Sequence, residues 1–167
     1  VSLSKYESIN SYSYLKKIES IDKTHSNYNL RFIQSLVLLN KFNEAFSFSK
    51  KVWNKDTLLF EADLLLGLQS YIKKDYQSAI KYFERLNKIP RYNFFFEDFF
   101  GNILMSWVKA SENNQKASFE FVEKIPKRYE KLKIIQNSFL HCYFDTLETE
   151  IAFKKIIEDK NNSFSRY

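Results

Sequence analysis

Glycine and proline are almost missing from this chain of 167 residues, with Gly67, Gly101, Pro90 and Pro126 the only ones. Tight hairpins draw on such residues for backbone angles that other side chains resist, so a sheet assembled from hairpins would be starved of its connections. Helices remain. Cysteine is as scarce: Cys142 stands alone, which excludes an intrachain disulfide and any cysteine-based metal cluster. Long apolar runs are also lacking, because Lys, Asp, Glu or Asn interrupts each one before the roughly 20 residues that would cross a bilayer. A soluble chain with no membrane span is expected, cytoplasmic or periplasmic. Two glycines this far apart cannot build a phosphate-binding loop. His25 and His141 are the only histidines, and neither belongs to a paired metal motif. His141 and Cys142, adjacent on a helix, point about 100° apart and cannot chelate one ion together. The expectation is therefore no catalysis, no cofactor and no metal.

What the chain has is ordinary in amount and unusual in kind. Hydrophobic residues make up 44% and charged residues 28%, close to globular averages, which argues against disorder. Seventeen Phe and eleven Tyr stand where many helical proteins would use Leu and Ala. The net charge of +6 permits acidic partners, but residues 1–90 carry 14 basic and 9 acidic groups and residues 91–167 carry 12 and 11. Most cations thus have acids nearby, as on a solvated, mildly basic surface.

Self-similarity organises the chain. From Leu66-Gly67 the pattern runs through Tyr71, Asp75-Tyr76, Ala79-Ile80, Tyr82-Phe83 and Leu86 to Pro90. Apolar positions recur at helical spacing on both sides of a polar break at 73–75, which predicts a helix-turn-helix. Asp75 can cap the second helix and Pro90 can stop it. The same frame recurs around Ser11, Ala45, Ala79, Ala117 and Ala152, at spacings of 34, 34, 38 and 35. A small residue there lets paired helices approach closely.

These residues resemble the tetratricopeptide repeat family, whose signature places Leu-Gly, Tyr, a small Ala and Phe within about 34 residues. The order of repeats is similar to bacterial members of that family without an assigned activity. The resemblance implies an all-α fold: an alpha-alpha superhelix, a TPR-like solenoid of about four helical hairpins plus a preceding half repeat, forming a single domain over 1–167. The second helix of the truncated first repeat is expected at 6–21, repeats at about 27–55, 56–90, 92–126 and 128–159, and a further helix from 162–167. First helices are expected at 27–40, 56–73, 92–111 and 128–145. Ile33, Met105 and Leu140 depart from the family by standing where it has a small residue. The chain reads as a fragment of a longer array, its start Met missing, and self-association through truncated ends is expected with it.

First helices line the concave side of such superhelices, so the resemblance implies a partner surface at Asn27 and Gln34, Tyr71, Asn102, Ser106 and Lys109, and Asn137, His141 and Phe144. Asn102 with Asn137, and Ser106 with His141, are equivalent in neighbouring repeats and would form a polar ladder for a bound backbone. Glu61 and Leu64 stand where the family's carboxylate clamp needs polar or basic donors, so acidic C-terminal tails are not the expected ligand. Five phenylalanines near Phe96 form the densest aromatic cluster. Phe96, Phe99, Phe100, Ile103 and Trp107 share one helical face and are expected in the core, while Phe94 and Phe95 are the pair expected to stay exposed. Lys124, Lys127, Arg128, Lys131 and Lys133 surround Pro126, but Glu123 and Glu130 interrupt the run and Tyr129 alone could stack a base. The function expected is a non-catalytic scaffold for a protein or peptide partner. The alternative is a helical-repeat RNA-binding module, which the absence of a recurring base-reading pair disfavours.

Overall fold

The computed structural model describes residues 3–17, 26–54, 58–89 and 98–158. Among them every regular element is helical: α1 (Leu3–Lys17), α2 (Ser26–Leu38), α3 (Phe42–Asn54), α4 (Phe60–Ile72), α5 (Tyr76–Leu86), α6 (Phe100–Ser111), α7 (Gln115–Glu123), α8 (Glu130–Tyr143) and α9 (Thr149–Ile157), with a 3-10 turn at Lys127–Tyr129 before α8. Within each unit helices adjacent in sequence pack against each other, and the fold is the all-α helical-repeat class. The chain forms two compact units, Val1–Arg85 and Leu86–Tyr167.

A single backbone device makes the turns. At the end of α2, Asn40 takes a left-handed conformation (φ 58°), its amide donates to the Val37 carbonyl (3.0 Å), and the Lys41 amide donates to Leu36 (2.8 Å). This 5→2 and 6→1 pair is the Schellman closure, which satisfies carbonyls a helix end would otherwise orphan. It recurs at Lys74 after α4, at Asn113 after α6 and at Asp145 after α8. After α2, α4 and α6 the next residue, Lys41, Asp75 or Asn114, immediately precedes the second helix. Asp75 and Asn114 cap that helix by accepting the amides of Ser78 and Ala117, each at 3.1 Å.

The turn residue also sets the register of the small anchors. Ala45 and Ala79 lie five residues beyond Asn40 and Lys74, and both are fully buried. Five residues beyond Asn113 comes Ser118, also fully buried, whereas Ala117 is half-buried. The anchor of the α6–α7 pair is therefore one residue later than the sequence frame placed it. Ala152 is half-buried and Ser11 is exposed; on α1 it is Tyr12 that meets the core, stacked 6.0 Å from Phe32. Ile33, Met105 and Leu140 are all buried core residues, so the bulk that departs from the family pattern is accommodated.

The first helices are shorter than expected. α4 begins at Phe60 rather than 56, and α8 at Glu130 because the Pro126 turn winds as 3-10 before it; of the helix expected from 92, the described part is α6 from Phe100, its start lying outside the described residues. α5 ends at Leu86, short of Pro90. Positions 18–21, 55–57, 90–97 and 159–167 lie outside the described residues, and with them Phe94–Phe96, Pro90 and the further helix expected at 162–167.

Unit 1 holds an aromatic core: Phe32 meets Phe48 edge-on (4.8 Å) and Tyr28 (5.7 Å), and the Tyr28 hydroxyl donates to the Leu15 carbonyl (3.0 Å), tying α2 to α1. α4 and α5 touch where Gly67 meets Phe83, which is 1% exposed. A methyl group on Gly67 would overlap the Phe83 ring. Beside this contact Asp63, its side chain 1% exposed, pairs with Arg85 (Nε to Oδ1, 3.1 Å). In unit 2, Leu140, Val122, Ile125 and Ala110 form the core, with Phe99, Ile103 and Trp107 packed against it as expected.

Gly67→Ala is expected to lower stability by about 1–3 kcal/mol, because a buried ring must shift from a filled site; an unchanged urea midpoint would refute the contact. A second expectation concerns pH. Hydrogen bonds from Ser78, its hydroxyl first and then its amide, hold the Asp75 carboxyl below the ordinary 3.8. The contribution of the ionised cap is thus full above that value and fades as pH falls through the lower native one. The melting-temperature advantage of the wild type over Asp75→Asn, which keeps a neutral acceptor, should stay level down to about pH 4 and shrink below it. An advantage independent of pH would mean that the charge of Asp75 does not act on α5.

Candidate functional site

Helices α2 and α4 are the first helices of adjacent hairpins in unit 1, and their facing sides leave a groove of about 420 Å³. Ile33, Gln34, Val37 and Leu38 form one wall, spaced so that all fall on one face of α2. Glu61, Leu64 and Leu65 form the other. Its surface is overwhelmingly apolar, and Leu38 at its edge is 61% exposed.

Of the nine residues expected to face a partner, Gln34 alone lies in this groove. It accepts a hydrogen bond from Arg31 (3.4 Å). Asn27 is exposed at the start of α2, and Tyr71 is half-buried near the end of α4, its ring 6.0 Å from that of Tyr76. The remaining six are in unit 2, and four of them, Asn102, Lys109, His141 and Phe144, are engaged within the protein. Asn102 is 4% exposed and its amide donates to the Asp98 carbonyl, fastening the left-handed residue that precedes α6. Ser106 is 1% exposed, and its hydroxyl has no partner among the described residues.

Lys109 pairs with Glu112 (2.7 Å). Asn137 is half-buried, with a buried side-chain oxygen. The His141 ring shares a hydrogen bond with Thr146 (2.8 Å) across the closing turn of α8 and lies 4.7 Å from Phe119. Phe144 packs into the unit 2 core. Asn102 and Ser106 are therefore not presented to solvent, and the polar ladder is not assembled on an open face.

The apolar groove residues that stand outside the expected partner surface are Ile33, Val37, Leu38, Leu64 and Leu65. Their signal was visible as apolar periodicity, but the same periodicity describes a covered helix. No protein-family model, curated protein or solved structure matches this chain. The reading of the site therefore rests on geometry.

Elsewhere, three of the cations around Pro126 are engaged locally: Lys133 pairs with Glu123 (2.7 Å), Lys124 lies over Phe121 (4.4 Å) and Arg128 over Tyr129 (5.1 Å). Cys142 is exposed. Among the described residues no group of three or more His, Cys, Asp or Glu is placed to hold a metal ion, and no helix is long and apolar enough to cross a membrane.

The buried states of Asn102 and Ser106 have measurable consequences. Asn102→Ala should cost about 1 kcal/mol through the lost bond to Asp98, and Ser106→Ala should raise stability by about 1 kcal/mol by removing a buried hydroxyl that has no partner among the described residues. Chemical unfolding of the two variants decides it; a destabilised Ser106→Ala would show that the hydroxyl has a partner.

Proposed function

We propose that this chain is a tetratricopeptide-type scaffold without catalytic activity, and that its α2–α4 groove takes an amphipathic helical segment of a protein partner. The observation that carries the proposal is the apolar cleft left open between two consecutive first helices, with Leu38 largely in solvent at its edge. The α2 wall spans positions 33–38, roughly 8 Å along the axis at about 1.5 Å per residue. Two apolar anchors one turn apart on a bound helix are separated by about 6 Å and fit that length. Gln34, at the wall, offers an amide to fix the segment's orientation.

No observation favours RNA. Lys124, Arg128 and Lys133 near Pro126 have local partners, and the groove itself is apolar where a stacking platform would need exposed aromatics beside cations.

Peptides selected from a random display library on the wild-type chain test the proposal. Enriched sequences should carry two aliphatic residues at i and i+3 or i+4, and Leu38→Asp should weaken them at least tenfold, about 1.4 kcal/mol. Because Leu38 is mostly exposed, the variant should melt like the wild type. Peptides that bind Leu38→Asp equally well would remove the groove from the account. A steep salt dependence of heparin binding would favour the RNA module instead.

A further inference from the structure

One side of α8, in unit 2, carries an apolar stripe with charges of opposite sign at its two ends. Leu132, Gln136, Phe139 and Tyr143 follow one another at intervals of four, three and four residues. That is the spacing of a coiled-coil seam, and it spans about 17 Å of helix at about 1.5 Å per residue. Phe139 is 46% exposed and Tyr143 54%, while Leu132 and Gln136 are half-buried. Neighbouring helices orient the stripe without covering Phe139 or Tyr143. Trp107 of α6 donates its indole N–H to the Gln136 side-chain oxygen (3.0 Å) and meets the Tyr143 ring edge-on (5.7 Å). Phe153 of α9 meets Phe139 edge-on (6.1 Å).

The first end is basic. Lys127, Arg128 and Lys131 line one hollow of about 260 Å³ together with Leu132, and Glu130 is the one acid in that lining. The second end is acidic. From Cys142 to Phe153 the chain has Asp145, Glu148 and Glu150 and no Lys or Arg, on a protein whose net charge is +6. Glu150 pairs with Lys154 (2.7 Å), and Asp145 and Glu148 are exposed at the closing turn. Asp145 follows Tyr143 by two residues, and its amide donates to the Cys142 carbonyl (3.2 Å), which holds the acid at the end of the stripe. Turned end for end, such a helix complements itself: cations meet acids at both ends while the seams meet between them. A two-fold axis produces that arrangement, because in an isologous contact each patch meets the other copy of the same surface in reverse.

We propose that this face of α8 joins two copies of the chain, the two helices antiparallel about a two-fold axis near Gln136. Phe139 and Tyr143 of each copy bury their exposed rings against the other stripe, and Lys127, Arg128 and Lys131 of one copy face Asp145 and Glu148 of the other. Antiparallel helices also oppose their macrodipoles favourably. A standard interface holds about 20–30 residues a side, and this face offers fewer. Interfaces of about 1,600 Å² range from micromolar to picomolar, so a dimer weaker than about 1 μM is expected. The charged ends set its register, and like charges brought together there oppose it. The groove between α2 and α4 takes no part.

Sedimentation equilibrium of the full chain over a concentration series tests this, under reducing conditions so that the exposed Cys142 forms no disulfide. The wild type should dimerise reversibly, several-fold more weakly as ionic strength rises from about 0.01 M to about 0.15 M and the Debye length falls from about 30 Å to about 8 Å. Lys127→Glu with Arg128→Glu makes both ends of the face acidic, and Asp145→Lys with Glu148→Lys makes both basic. Each double variant alone should dimerise at least tenfold more weakly. All four positions are exposed, and Lys74 already occupies the equivalent left-handed turn after α4, so both variants should fold. Mixed in equal amounts, the two variants should associate with each other about as tightly as the wild type does with itself. Both keep a positive net charge, since two reversals change the wild-type +6 by four, so recovery in the mixture reports the face and not bulk attraction. Should a variant fail to fold, the wild-type salt series decides, and dimerisation that is unchanged or strengthened by salt overturns the proposal. A wild type that stays monomeric at millimolar concentration overturns it too. So does dimerisation undiminished in either variant, which places the contact on another face, or a mixture no more associated than its parts.

Discussion

The closure of each first helix is the constraint on which the rest of this structure depends. At Asn40, Lys74, Asn113 and Asp145 the chain steps into the left-handed region and returns two amides to the helix it has just left. That pair of bonds fixes the direction in which the next helix departs, and after α2, α4 and α6 it does so with no spare residue. No glycine serves any of these positions, although glycine adopts the conformation without a Cβ penalty. Asn and Asp tolerate it through their short polar side chains; Lys74 has no such relief and bears a steric cost of about 1–2 kcal/mol. The tolerated cost indicates how strongly the helices on either side over-determine the turn.

Register follows from that closure. The buried small residue sits five positions after the left-handed one because the first turn of the second helix presents that position to its partner, as Ala45, Ala79 and Ser118 show. Close approach then permits large side chains elsewhere. Phe83 can lie over α4 only because Gly67 lacks a side chain, and the Asp63–Arg85 pair sits beside that contact, where loss of either partner would strand a charge. Phe and Tyr fill volume that Leu and Ala fill in many helical proteins, and they do so with edge-on and stacked geometry that holds α1, α2 and α3 together in unit 1.

The helical class, the pairing of helices and the strongest hairpin were legible because they depend on local signals. Apolar spacing, a capping Asp75 and the small residue at Ala79 each act within a few residues. Helix starts were less legible: α4 and α8 begin later than the apolar pattern does, since apolar residues in a preceding turn look the same as apolar residues in a helix. The one-residue slip at Ala117 has a similar origin. Ser and Ala are both small, and only the position of the left-handed turn at Asn113 decides that Ser118 is the one buried.

The candidate site was the least legible part, for a reason that belongs to repeats in general. Amphipathic pattern states that a side chain needs cover; it does not state which neighbour provides it. Asn102 and Ser106 carry the polarity of a solvent stripe and are nonetheless buried, Asn102 because it is consumed in holding the turn at Asp98. Leu38 and Leu64 carry the pattern of a core and yet border an open cleft. Whether an apolar first-helix residue is core or contact surface depends on how far apart two consecutive first helices stand. That separation is set by the bulk of the side chains between them, here including Ile33 where a small residue is usual in the family it resembles. At this seam Ile33 is itself buried, and Val37, Leu38, Leu64 and Leu65 complete the apolar lining of the groove beside it.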